Sequence, residues 1–85
     1  MTDSVLERVR RIAADIFTLD LTAVPASASR DTVSAWDSVA HVNLVLAVEQ
    51  QFDVQFLPEE MLEMLSIELL AMLVEEKLGH GGGSR

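Results

Sequence analysis

Apolar residues recur at helical spacing in three stretches of this chain, and nowhere do they alternate long enough to build a sheet. In the first stretch Val5, Val9, Ile12 and Ile16 follow at steps of four, three and four, with Leu6, Ala13 and Phe17 on the adjoining stripe. Ser4 and Glu7 stand where a capping box would close the start of this helix. In the second, from about Ser38 to Gln51, Val42, Val45, Leu46 and Val48 supply a core stripe that Leu44 and Phe52 widen, and Asp53 ends the run. In the last, Ser66 is placed to cap a helix whose stripe is Ile67, Leu70, Leu73, Val74 and Leu78, with Gly79 as its stop. Between them, Leu57-Pro58-Glu59-Glu60 reads as the start of one short helix, since proline suits the first turn and acids suit the positive end of the helix dipole. Val54-Gln55-Phe56 alternates, but three residues without a partner make no sheet.

The reading is therefore all-α: a bundle of three longer helices and one short one, with a long first connection. The 85 residues allow one domain, and no cysteine is present to staple it. Domains of this size rarely exceed about 3–5 kcal/mol of stability without staples. Ile12, Ile16, Val45, Leu46, Leu70 and Leu73 are the expected shared core of the long helices. Residues 1–79 form the domain, and His80-Gly81-Gly82-Gly83-Ser84-Arg85 reads as a flexible tail.

The connection from about Thr18 to Trp36 is turn-rich, with Pro25, a Ser/Ala run and Asp31, and Leu19, Leu21, Val24 and Val33 are placed to pin it to the core. Loops this long in compact domains are often functional. This one leads straight into Trp36-Asp37-Ser38-Val39 at the start of the second helix. A serine there is exposed at the positive end of a helix, where free backbone N–H groups favour an attached anion. Ser38 also has a plain reading as a helix cap, as do Asp37 and Ser34.

Charge narrows the partners. Fourteen acids against six bases give a formal net charge of −8, which disfavours nucleic acid and anionic membrane and favours basic protein surfaces. The start of the chain has no secretory signal and no stretch approaches a membrane span, so a cytoplasmic monomer is expected. Two histidines, His41 and His80, are too few and too far apart for a metal site. Asp37, Ser38 and His41 on one helix turn do not make a catalytic triad, which needs an oriented base and an oxyanion site. No enzyme activity is expected.

Asp37-Ser38-Val39 resembles the Asp-Ser-Leu signature of the acyl carrier proteins, with Val in place of Leu. The likeness continues through Val42, Leu44, Val45, Leu46, Glu49 and Phe52 into the short third helix and Ser66-Ile67, and spans about Val5 to Leu78. It implies a four-helix bundle of acyl-carrier type. It also implies a 4′-phosphopantetheine arm moved from coenzyme A to Ser38 by a phosphopantetheinyl transferase, with an acyl cargo held as a thioester and presented to acyl-loading and acyl-transferring enzymes. Asp37, Val39 and His41 flank the arm in this reading. Val39, Val42, Leu44, Glu49, Glu59, Glu60 and Glu63 are the expected partner contacts; Glu59, Glu60 and Glu63 read equally as a solvated face.

Two departures bear on the cargo. Val33-Ser34-Ala35-Trp36 stands where the family shows a Gly-Leu-Gly-like approach, and His41 and Asn43 replace acids common in fatty-acid carriers. Both resemble stand-alone carriers of specialised biosynthesis, and Trp before Asp-Ser also occurs in D-alanyl carriers. An unmodified helical interaction module is the reading from another class. His41 reads as an ordinary exposed histidine or as a contact of the phosphodiester or a partner, and Trp36 as a core residue. Met61, Met64 and Met72 read as core filler, with Met61 or Met64 available to face an acyl chain.

Overall fold

The computed structural model of the chain describes residues 4–83. Four α-helices follow in order: α1 Val5–Phe17, α2 Ser38–Phe52, α3 Pro58–Met61 and α4 Ile67–Gly83, with one 3₁₀ turn at Leu21–Ala23 in the first connection. Among the described residues there is no strand, only an isolated antiparallel bridge between Ser29 and Ser66. The expected all-α bundle with a long first loop and a short third helix is the observed architecture.

Helix α1 lies at the centre, packed on both α2 and α4. Ser4 Oγ accepts the Glu7 N–H at 3.1 Å and starts it. The Glu7 carboxylate turns to Arg10 instead, at 2.8 Å, rather than back toward Ser4. The buried face is Val9, Ala13, Ala14 and Phe17, while Val5, Leu6, Ile12 and Ile16 lie only partly buried beside it. The stripe is thus rotated from the one expected, because small alanines let the flanking helices approach and push the larger residues to the rim.

The long loop is tied down at both ends of its course. Arg10 Nε donates to the Val24 carbonyl at 2.7 Å and its Nη2 to that of Leu21 at 3.0 Å, so a helix-face arginine organises the 3₁₀ turn. Val24 and Val33 are buried as expected, Leu21 is partly buried and Leu19 is exposed. Further on, the Ala28 and Ala26 carbonyls accept the N–H groups of Ile67 and Glu68 at 2.9 and 3.0 Å, while Ser66 Oγ accepts that of Leu69 at 3.1 Å. These bonds satisfy donors that the first turn of any helix leaves open. The loop is therefore locked between α1 and the start of α4, which fixes where it delivers Trp36 and Ser38.

Three expectations about the core need correction. Leu46, assigned to it, is 51% exposed, and the inward positions of α2 are His41, Leu44, Val45, Val48 and Phe52. Leu78 is exposed and Met72 is exposed, whereas Met64 is fully buried. Helix α4 runs on through Gly79 to Gly83, and no glycine there takes the left-handed conformation that would end it. With a helical φ and open space around it, Gly79 continues the hydrogen-bonded spiral instead of closing it. Residues 84–85 of the expected tail lie outside the described residues.

Candidate functional site

The loop-to-α2 junction is built by Asp37. Its backbone is extended and its carboxylate accepts the Ala40 N–H at 2.8 Å, while its carbonyl accepts that of His41 at 2.8 Å. Asp37 is thus the N-cap, which leaves Ser38 as the first helical residue with its hydroxyl exposed and not engaged in capping. The N–H groups of Ser38 and Val39 have no hydrogen-bond partner among the described residues and stand at the positive end of a fifteen-residue helix. A phosphodiester on the Ser38 oxygen fits these donors. The residue next to it, Val39, is 70% exposed.

The outward face of α2 continues this surface. Val39, Val42 and Leu46 follow at steps of three and four, all exposed, with the neutral Asn43 and Gln50 between and beyond them. From Val39 to Leu46 this face carries no charged residue, so an apolar strip about 10 Å long starts beside Ser38, and Glu49, three residues past Leu46, stands at its far end. Leu44, expected among the partner contacts, is fully buried on the opposite side of the helix. It follows Val42 by two residues, and positions two apart do not share a helix face.

The acids divide into two kinds. Glu59 and Glu63 are exposed. Glu49 accepts the Phe56 N–H at 2.9 Å and closes the turn after α2. Glu60 accepts the Leu57 N–H at 2.7 Å and pairs with Lys77 of α4 at 2.9 Å. The Leu57 hydrogen bond first, and then Lys77, hold the Glu60 carboxyl below the usual carboxylate range. Glu49 and Glu60 therefore already have intramolecular work, and the free acidic margin is smaller than the sequence implied.

His41 is the largest correction. It is 7% exposed and is not a surface histidine. Its Nδ1 accepts the Trp36 indole N–H at 3.0 Å, and its Nε2 lies 3.0 Å from the Met61 carbonyl oxygen. Indole can only donate and a carbonyl can only accept, so these partners fix the neutral tautomer with the proton on Nε2. Trp36, 2% exposed, packs in turn on Phe17 of α1 with ring centroids 5.4 Å apart, and is the core residue expected. The sequence held a clue: an indole donor just before a helix and an imidazole in its first turn.

An open groove of about 830 Å³ lies elsewhere, between α1, the 3₁₀ turn and the far half of α2, lined by Ile12, Ile16, Leu21, Ala47 and Gln51 among others. Ala47 is nine residues along α2 from Ser38, about 13 Å at the helical rise, so this groove is not part of the junction. Among the described residues no group of three or more His, Asp or Glu side chains is placed to hold a metal ion, and no helix is long and apolar enough to cross a membrane.

No protein-family profile matches the chain, and no curated protein matches it. Solved structures do. The chain is similar to a holo acyl carrier protein from Geobacter metallireducens, whose structure was determined in solution by NMR. The TM-score is 0.80 at 27% sequence identity, over 91% of this chain and 88% of that one. The helix order, the long first connection and the short α3 are those of an acyl carrier protein fold.

Proposed function

We infer that this protein is an acyl carrier, bearing 4′-phosphopantetheine on Ser38 and presenting a thioester-linked acyl group to the enzymes of a biosynthetic pathway. One observation carries the reading: in a fold of acyl-carrier type, the long loop ends in an Asp37 cap that leaves the Ser38 hydroxyl exposed and uncommitted at the start of α2. The similar Geobacter protein is a holo form, which supports a prosthetic arm on this fold. Bound there, the arm supplies the thiol that carries the cargo. The chain's own residues contribute placement. Asp37 sets the helix start, Ser38 supplies the attachment oxygen, and the Ser38 and Val39 N–H groups face the phosphodiester. A transferase and later acyl-handling enzymes dock on Val39, Val42 and Leu46, with Glu59 and Glu63 at the margin. A cytoplasmic carrier of specialised biosynthesis, acting as a monomer and without catalysis of its own, is the form that fits the neutral start of the outward α2 face.

The test is intact mass after incubation with coenzyme A, magnesium and a broad-specificity phosphopantetheinyl transferase. One phosphopantetheine mass is expected on the wild-type chain and none on Ser38→Ala. Absence of any adduct on the wild type, or an adduct on the alanine variant at Ser4, Ser34 or Ser66, defeats the assignment.

A further inference from the structure

Helix α3 is four residues long and buries none of them. A single turn of helix is not stable alone, so its position comes from what holds it. Met61 leans on the core, Glu60 is paired with Lys77 at 2.9 Å, and the Met61 carbonyl takes the His41 Nε2–H at 3.0 Å. His41 is in turn held by the Trp36 indole at 3.0 Å, with the two rings inclined by 29°. The chain Trp36–His41–Met61 thus starts two residues before Ser38, passes through the first turn of α2 three residues after it, and ends on α3.

We propose that this bridge is an acid-sensitive latch: neutral His41 holds α3 against the Ser38 end of α2, and its protonation releases α3. An imidazolium ion has two N–H donors and no acceptor. Its new Nδ1–H would point at the indole N–H, donor against donor, at a buried contact. The ring must turn or leave, and the Met61 bond goes with it. The charged groups on the surrounding elements are Asp37 at the cap of α2, Glu59, Glu60 and Glu63 in and after α3, and Lys77 on α4. Asp37 is spent on the Ala40 N–H, and Glu60 on Leu57 and Lys77. Phe17 of α1 offers only its ring to Trp36. For docking beside Ser38, the consequence rests on the carrier reading above: α3 stays beside the Ser38 end of α2 only while the latch is closed.

Trp36 is the only tryptophan, so the fluorescence and the indole N–H resonance come from this residue alone, and the N–H resonance reads its bond to His41 directly. The experiment uses the full chain in a His80→Gln background, titrated from pH 8 to 5. The indole resonance and the emission should move in one transition with helix content unchanged. Across it, amides from Glu60 to Leu65 should lose protection by about tenfold beyond the intrinsic pH effect, on the scale of one hydrogen bond's net worth. His41→Gln keeps one acceptor and one donor but takes no proton, and should show no transition. A flat wild-type indole resonance, or the same transition in His41→Gln, overturns the latch. Should that variant fail to fold, the imidazole nitrogen spectrum of the parent chain decides. A proton on Nδ1 at pH 8, or a protonation midpoint separate from that of α3 exchange, also overturns it. The initial rate of transferase loading, taken as the ratio of parent to His41→Gln at each pH, should fall at the same midpoint, and a constant ratio would refute the link to docking. Failure of both chains to load at any pH would instead reject the Ser38 reading, while the latch is judged on resonance and exchange.

Discussion

Leu44 and Leu46 make an internal control for how α2 is packed. They sit two residues apart on one helix, share chemistry and propensity, and differ in burial: 0% exposed against 51%. Leu44→Ala removes three carbons from an enclosed core site, where leucine truncations cost about 2–5 kcal/mol because lost transfer energy adds to a cavity. The same three carbons at Leu46 are half in water already. At about 0.8 kcal/mol per buried methylene the loss is near 1 kcal/mol, no cavity forms, and the helix propensity of alanine offsets a few tenths. The gap between the variants should be at least about 2 kcal/mol if Leu44 falls mid-range. In a domain of this size about 4–8 °C of melting temperature corresponds to 1 kcal/mol. Thermal melts and urea titrations followed by helical circular dichroism therefore read the difference directly. Leu46→Ala should melt within a few degrees of the parent, and Leu44→Ala should be close to unfolded at room temperature if the margin is about 3–5 kcal/mol. Equal midpoints with equal urea slopes, or a lower midpoint for Leu46→Ala, would mean that α2 is turned the other way.

Three further outcomes follow from the site. Asp37→Ala removes the α2 cap and should lower stability by about 0.5–2 kcal/mol, while Asp37→Asn, which keeps the acceptor oxygen, should cost little by the same urea titration. The depressed Glu60 pKa is a source of stability above the ordinary glutamate value near 4.3, lost as pH falls through the folded value. The stability gap between the wild type and Glu60→Gln should accordingly narrow from pH 7 to pH 3, and a gap independent of pH would rule out this contribution. In transferase loading, Val39→Asp should slow the reaction by about tenfold, the weight of 1.4 kcal/mol. Glu59→Lys and Glu63→Lys should slow it less, and mainly at low salt. Rates that follow salt and these glutamates but ignore Val39 would show docking to be electrostatic.

The fold class was open to reading because α1 separates its apolar and charged residues sharply enough to announce a helix, and because Ser4, Ser66 and Pro58 mark starts that local hydrogen bonding alone can satisfy. Ser38 stood out for the same local reason, as a hydroxyl between a capping acid and a helix. Helix α2 was different. Its apolar residues run round most of the circumference, so spacing could not say which side faces inward. Packing on α1 chose Leu44 and Val48 and turned Leu46 outward. The roles of polar residues were also decided in three dimensions. Glu49 and Glu60 look like free surface acids until the turn after α2 and Lys77 are brought beside them. His41 looks like a surface histidine until Met61, twenty residues away in sequence, supplies the carbonyl that completes its burial. Periodicity and caps are properties of neighbours along the chain, whereas a buried polar group needs partners that only the folded chain can bring within 3 Å.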